Sequence, residues 1–268
     1  MAYPSQIEVI IPLASRQVAR DWPHMCRMLQ GTLASVLALP KDFASISILG
    51  HERPENLPLG ERCRWTTVTW APPNRDDIPG KLNDKGIKVR QGVQDAFARG
   101  AQWVMVVDAD DLLSKRLPEL CDLNNHDAIC FENGYSWEMR SKWLERVPKF
   151  HRICGTSWIM RVGPRFFPMW LGPGTHRVCD QAHNAMHAAL IKDNARIQMI
   201  KAPMAIYCVG HRANTGHGEH LGSLSYPGLA HPLGMARSFA KHIIRRKRLT
   251  PALRKEFLIP DCVEADGK

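Results

Sequence analysis

Residues 102–111 read Gln102-Trp103-Val104-Met105-Val106-Val107-Asp108-Ala109-Asp110-Asp111. A strand-sized apolar run passes directly into three carboxylates. In open α/β sheets, ligands gather at the carboxyl ends of the strands. Acids at i and i+2 can converge where a strand gives way to a turn. Left unpaired they would repel one another and hold protons tightly, and a divalent cation removes that conflict. Magnesium and manganese favour such oxygen ligands, completed by substrate phosphates. The plain alternative is that these acids cap the next helix or line a solvated turn.

Working outward, the surroundings read as alternating strands and helices. Ile7–Leu13 is a β-branched run ending around Pro12, as expected of a strand buried on both faces. Asp21 is placed to cap a helix with Pro23 in its first turn, and Met25, Met28, Leu29, Leu33, Val36 and Leu37 recur at helical spacing. Ser45–Leu49 and Arg64–Trp70 suit two further strands. A Pro- and Asp-rich loop over Ala71–Gly80 leads into a helix over 81–99, closed by Gly100. Strand 102–107 follows. The order β-α-β-β-α-β predicts an α/β layer with a mostly parallel sheet. Beyond it, Ala128–Glu132, Ile153–Arg161 and Ala205–Val209 are candidate strands, Cys179–Ile191 a candidate helix and Ala236–Arg248 a candidate amphipathic helix.

The 268-residue chain is 44% hydrophobic and 23% charged, which excludes bulk disorder and fibrous repeats. No apolar run reaches the roughly 18 residues of a membrane span. The start, Met1-Ala2-Tyr3-Pro4-Ser5-Gln6-Ile7, has no basic-then-apolar signal pattern, so a cytoplasmic location is expected. The 8 cysteines include no Cys-x-x-Cys pair and read as free thiols. A net charge of +10 suits a polyanionic partner: nucleic acid, an anionic membrane or a phosphorylated substrate.

Several segments together resemble a known family. The strand Val9-Ile10-Ile11-Pro12-Leu13, the helix Leu29–Leu39, the segments Arg90-Gln91-Gly92 and Ala98-Arg99-Gly100, and the strand running into Asp108-Ala109-Asp110-Asp111 occur in the order seen in GT-A fold glycosyltransferases. The similarity is strongest to glycosyltransferase family 2 and covers about the first 115 residues. It implies a GT-A-like, Rossmann-type α/β/α sandwich with a less regular C-terminal half on the acceptor side. Residues 1–115 would form the nucleotide-sugar-binding half, 116–233 the acceptor-side half of the same domain, and 234–268 a basic helical tail.

The resemblance also implies a nucleoside diphosphate sugar donor. Asp108 and Asp110 would contact a divalent cation (Mn2+ or Mg2+) on its diphosphate, with Ala109 between them against the donor. Pro12 and Leu13 would lie near the base. The family's Asp-Asp-Gly-Ser turn after the second strand is replaced here by Gly50-His51-Glu52-Arg53, where Glu52 is the remaining acid. A late histidine often supplies a third metal ligand in this fold. His211, in Gly210-His211-Arg212-Ala213-Asn214, occupies that kind of position, with His217 and His220 in the same loop.

On the second helix Lys81, Lys85 and Lys88 share one face. They form either a solvated face or a cationic one near donor phosphates, with Lys85 and Arg90 the candidates. Cys154-Gly155-Thr156-Ser157-Trp158 resembles a segment that faces the acceptor, and otherwise reads as a tight turn. An inverting transfer needs a base at the acceptor hydroxyl. Asp180 is the candidate, and it equally suits a helix N-cap. His183 and His187, at i and i+4, read as a helical surface pair rather than a metal pair.

The acceptor would be a glycan, a lipid-linked sugar or a small hydroxyl compound. Arg237, Lys241, Arg245, Arg246, Lys247, Arg248, Arg254 and Lys255, interleaved with Phe239, Ile243 and Ile244, suit either a solvated packed helix or peripheral contact with an anionic membrane. Two other readings are open. A nucleotidyltransferase of related fold would want a glycine in the loop after the first strand, where Ala14-Ser15-Arg16-Gln17 has none. A basic nucleic-acid-binding protein fits the charge, but no nucleic-acid motif is present and no nucleic acid is expected as partner.

Overall fold

Strand β1 (Ile7–Pro12) is buried at all six positions, Glu8 included, as its near-continuous apolar run predicts. Side chains alternate across a strand. Ile7, Val9 and Ile11 accordingly pack with Leu29, Leu33 and Val36 of helix α1 (Trp22–Leu37). Ile10 faces the other way and packs with Val89 and Val93 of helix α2 (Ile78–Ala98). The two helices thus cover opposite faces of the sheet, giving three layers. The computed structural model describes residues 6–139, 141–163, 165–166, 186–210 and 244–259.

Helix α1 begins where expected. The Asp21 carboxylate accepts the His24 N–H at 2.8 Å, and Pro23 occupies the first turn. Helix α2 starts earlier than expected, because Asp77 caps it by accepting the Gly80 N–H at 2.9 Å. It ends at Gly100, whose φ of +93° reverses the chain into β4. A Cβ at Gly92 would lie 2.7 Å from Ile10 Cγ2, so glycine lets α2 lie directly on β1.

The remaining strands are β2 (Ala44–Gly50), β3 (Cys63–Thr67), β4 (Trp103–Val106), β5 (Leu112–Leu113), β6 (Ala128–Phe131), β7 (Asn133–Glu138), β8 (Trp143–Pro148), β9 (Trp158–Arg161), β10 (Ile197–Ile200), β11 (Ala205–Val209) and β12 (Arg246–Arg248). A seven-stranded sheet has the order β10-β6-β9-β4-β1-β2-β3. Only β9 runs antiparallel to its neighbours; the other pairings are parallel. This is the mostly parallel α/β layer that the order of elements predicts. A second, five-stranded sheet has the order β12-β8-β7-β11-β5. Tyr135, Trp137, Leu144, Ile206 and Cys208 of that sheet pack with Leu253 and Phe257 of the C-terminal helix Pro251–Phe257.

Some expectations are corrected. Strand β9 covers only the end of Ile153–Arg161: Cys154 and Thr156 turn their side chains onto the Asp111 carboxylate, and the Ser157 hydroxyl closes a turn on the Cys154 carbonyl. Strand β3 stops at Thr67 rather than Trp70. Of the candidate helix Ala236–Arg248, residues 236–243 lie outside the described set, and Arg246–Arg248 is not helical. Arg246–Arg248 instead pairs antiparallel with β8, and the next residue, Leu249, is buried in the core beneath. Of the candidate helix Cys179–Ile191, residues 179–185 lie outside the described set, and Met186–Lys192 is helical. Strands β5, β7, β8 and β10 had no expectation attached.

Six cysteines, Cys26, Cys63, Cys121, Cys130, Cys154 and Cys208, are free thiols as anticipated. Glu8 was not singled out. It is fully buried on β1, takes hydrogen bonds from the Ser45 and Ser47 hydroxyls and pairs with Arg99 at 3.1 Å.

Candidate active site

Parallel pairing brings the carboxyl ends of β1 and β4 to the same edge of the sheet. There the Val107 N–H donates to the Ile10 carbonyl at 3.0 Å, and the Asp111 N–H closes a turn on the Asp108 carbonyl at 3.0 Å. The turn divides its acids. Asp111 points inward and is fully buried. Its carboxylate accepts from the Thr156 hydroxyl at 2.5 Å, the Cys154 thiol at 3.1 Å and the Cys208 N–H at 3.3 Å. Thr156 Oγ1 also accepts the Asp108 N–H at 3.0 Å, so one hydroxyl holds both ends of the turn. Burial, with Asp110 and Asp108 nearby, pushes the Asp111 carboxyl well above the usual carboxylate range.

Asp108 points outward. Its Oδ1 lies 2.5 Å from Lys85 Nζ, and both side chains are partly exposed. Gly155 faces the other oxygen: a Cβ there would lie 3.9 Å from Asp108 Oδ2. Burial alone would lower the Lys85 ammonium, but the charge and hydrogen bond of Asp108, joined by Asp110 and Asp111, outweigh it and raise its pKa. Lys85 is a firm cation. Burial raises the Tyr207 phenol, and Asp111, Cys154, Asp110 and Asp108 raise it further. Tyr207 therefore stays protonated beside the acids.

The edge at β1 is braced from beneath. Lys88 donates to the Leu13 carbonyl at 2.8 Å and to Asp84 Oδ2 at 2.5 Å. Asp84 Oδ1 accepts the Trp70 indole N–H at 2.9 Å and lies 3.0 Å from His51 Nε2. Burial opposes the charge on Asp84, but these partners, Lys88 first, hold its carboxyl below the usual range. Burial lowers the Lys88 ammonium despite Asp84 and Glu52. On the exposed side, the Glu52 carboxylate accepts the Arg16 N–H at 2.9 Å, tying the loop after β1 to the turn after β2.

Of the residues singled out from sequence, Lys85, Asp108 and Asp110 come together electrostatically. Pro12, Leu13 and Ala109 are buried at the same sheet edge. Glu52 reaches the loop after β1. Arg90 is half-buried on α2, about 140° around the helix from Lys85. Asp180, His211, His183, His217 and His220 lie outside the described residues. His187 lies against the rings of His151 and Trp158, with centroids 5.7 and 6.2 Å away. Lys88 does not lie on a solvated face: its side chain is 1% exposed.

Sequence reasoning missed the Lys88–Asp84–His51–Trp70 cluster and the clamp of Thr156 and Cys154 on Asp111. The first had a signal, since Asp84 and Lys88 are an i,i+4 acid–base pair. The second joins residues more than forty positions apart and had none.

Among the described residues no group of three or more His, Cys, Asp or Glu side chains forms a cation cage. Asp111 is committed inward, leaving Asp108 and Asp110. Magnesium-type ions are commonly held by one or two carboxylates plus substrate phosphates. Two partly exposed acids in one turn, Asp108 and Asp110, therefore fit a cation shared with a bound diphosphate.

No family model and no curated protein matches this chain. Solved structures do align with it. TarS 1-349 from S. aureus is 13% identical over 76% of this chain and 60% of that chain, with a TM-score of 0.47. The same protein in complex with UDP-GlcNAc gives 12% identity over 80% and 60%, with a TM-score of 0.48. The 4-diphosphocytidyl-2C-methyl-D-erythritolsynthase from Anaerococcus prevotii DSM 20548 gives 11% over 78% and 91%, with a TM-score of 0.46. The chain spans about three fifths of the length of the TarS chains.

Proposed function

We propose that this protein is a GT-A-type glycosyltransferase, related to family 2, that moves a sugar from a nucleoside diphosphate sugar to a hydroxyl acceptor. One observation carries the reading: the Lys85–Asp108 pair beside Asp110, at the edge where β1 and β4 both end. Parallel α/β sheets bind ligands at that edge.

In this reading Lys85 binds the donor diphosphate and offsets the charge that grows on the leaving group. Asp108 holds the Lys85 ammonium in place. Thr156 and buried Asp111 fix the turn that carries Asp108 and Asp110. Pro12, Leu13 and Ala109 shape the pocket wall, and Glu52 and Arg90 contribute on the donor side. Asp180 takes the acceptor's proton. Asp108 and Asp110, with His211 as third ligand, would hold a manganese or magnesium ion, which when bound neutralises diphosphate charge.

The acceptor is a glycan, a lipid-linked sugar or a small hydroxyl compound. Work at a cytoplasmic membrane face, with the basic tail as a peripheral contact, goes with such an acceptor. No helix among the described residues is long and apolar enough to cross a membrane.

The test is calorimetry of uridine and guanosine diphosphate, with and without manganese, on wild type and Asp110→Ala. Manganese-dependent binding that disappears in Asp110→Ala is the expected result. No binding of either nucleotide under either condition overturns the reading. A nucleotidyltransferase would instead bind a nucleoside triphosphate and release pyrophosphate from it.

A further inference from the structure

Across the second sheet, strand pairing aligns Tyr207 with Ser136, Ser136 with Glu145 and Glu145 with Arg246. Partners in register share a face. Two residues from Glu145 and Arg246, on that same face, Trp143 pairs with Arg248. The opposite face carries Tyr135, Leu144 and Cys208 and is closed by the C-terminal helix Pro251–Phe257. The first face is therefore the one that meets the acidic turn. Tyr207 packs against the core containing Cys154 and feels the charges of Asp111, Asp110 and Asp108.

From Tyr207 the face crosses two strand spacings, about 10 Å, to Glu145 on β8, with Trp143 two residues further along that strand. Its character changes on the way. Ser136 is buried, but Trp143 is 46% exposed and Arg246 and Arg248 are exposed. Among the described residues neither guanidinium is in an ion pair, while Lys247 lies over the Tyr135 ring on the opposite face. Cations on an edge strand also discourage pairing with other chains. That role does not call for an exposed indole on the same face.

We infer that this face is the acceptor-binding platform, and that it takes an anionic saccharide chain. The inference rests on the glycosyltransferase reading and names its acceptor. A sugar ring lays the C–H groups of one face on the Trp143 indole, where an aromatic surface gives contact area at low entropic cost. The Arg246 and Arg248 guanidinium groups take carboxylate or phosphate substituents, for which their planar fork is suited. The same row ends at Tyr207, which feels the charges of Asp108 and Asp110.

The experiment measures binding of the full chain to an array of neutral and uronate- or phosphate-bearing oligosaccharides. Vesicles of phosphatidylglycerol with phosphatidylcholine are a second probe, and nucleotide diphosphate calorimetry runs alongside. Wild type is expected to retain anionic saccharides. Trp143→Ala and the double variant Arg246→Gln/Arg248→Gln should each weaken that retention roughly tenfold or more, as truncating an interface anchor does. Trp143→Tyr should keep most of it, and nucleotide binding should be unchanged in all three. The inference is overturned if wild type retains no anionic saccharide, if the variants bind as wild type does, or if they lose vesicle binding alone. Failure of nucleotide binding by wild type is read separately and removes the donor site rather than the platform.

Discussion

Lys88 on α2 donates to the carbonyl of Leu13, the residue that follows β1, at 2.8 Å. A buried ammonium thus holds the end of the central strand to the helix lying over it. Its charge is met by Asp84 one turn earlier. Breaking such a pair from one side is costly, because the partner charge stays buried. Lys88→Met should lower the unfolding free energy by roughly 3–5 kcal/mol in urea titration. Adding Asp84→Asn, which still accepts the Trp70 N–H, should recover part of that loss. A Lys88→Met protein as stable as wild type would show that the cluster is not what braces this edge.

Acid should expose the same cluster. Asp84 keeps its carboxyl below its ordinary value against Lys88, Trp70 and His51. A depressed carboxylate binds fewer protons folded than unfolded. Its stabilisation is therefore full above the ordinary carboxylate value of about 3.8 and is lost as pH falls through the lower folded value. Urea midpoints between pH 7 and pH 3 should show the stability gap between wild type and Asp84→Asn constant at the upper end. The gap should shrink in acid. A gap that widens in acid would reverse the assigned sign.

At the acidic turn the expectation is different, because Lys85 and Asp108 are partly exposed. Exposed ion pairs contribute little to stability, about 0–1 kcal/mol. Lys85→Ala should unfold within about 1 kcal/mol of wild type. A charged hydrogen bond to a ligand contributes about 1.5–3 kcal/mol, so its nucleotide diphosphate affinity should fall on the order of tenfold to a hundredfold. Calorimetry with Lys85→Arg as a charge-retaining control measures this. Unchanged affinity in Lys85→Ala would remove Lys85 from the site.

How much was readable beforehand follows from the range of the forces involved. The β1, α1, β2, α2 and β4 elements are written in local patterns: continuous β-branched runs for strands buried on both faces, helical spacing on α1, Asp21 before Pro23, and Gly100 after α2. The acid-bearing turn follows directly from a strand end. Lys85 could be nominated because its helix is predictable and a cation on that face suits donor phosphates. By contrast, β7 and β8 mix aromatic, charged and glycine positions, since one face packs under the C-terminal helix and the other runs from buried Val147 to exposed Trp143. Arg246–Arg248 looked like the end of a basic helix and is a strand, because partner β8, about a hundred residues earlier, supplies its hydrogen bonds.

By itself, then, the sequence determined the α/β layer, the strand that ends in Asp108, Asp110 and Asp111, and the basic second helix. These rest on spacings of a few residues. Tertiary structure alone decided which acid turns inward. Asp111 is drawn there by Thr156, Cys154 and the Cys208 N–H, which reach it from other segments, and Asp108 is left to Lys85. It also decided that Lys88, three residues from Lys85 on the same helix, is buried rather than solvated. A carboxylate's or ammonium's role depends on which dipoles and charges surround it, and those are assembled only when distant strands close into a sheet.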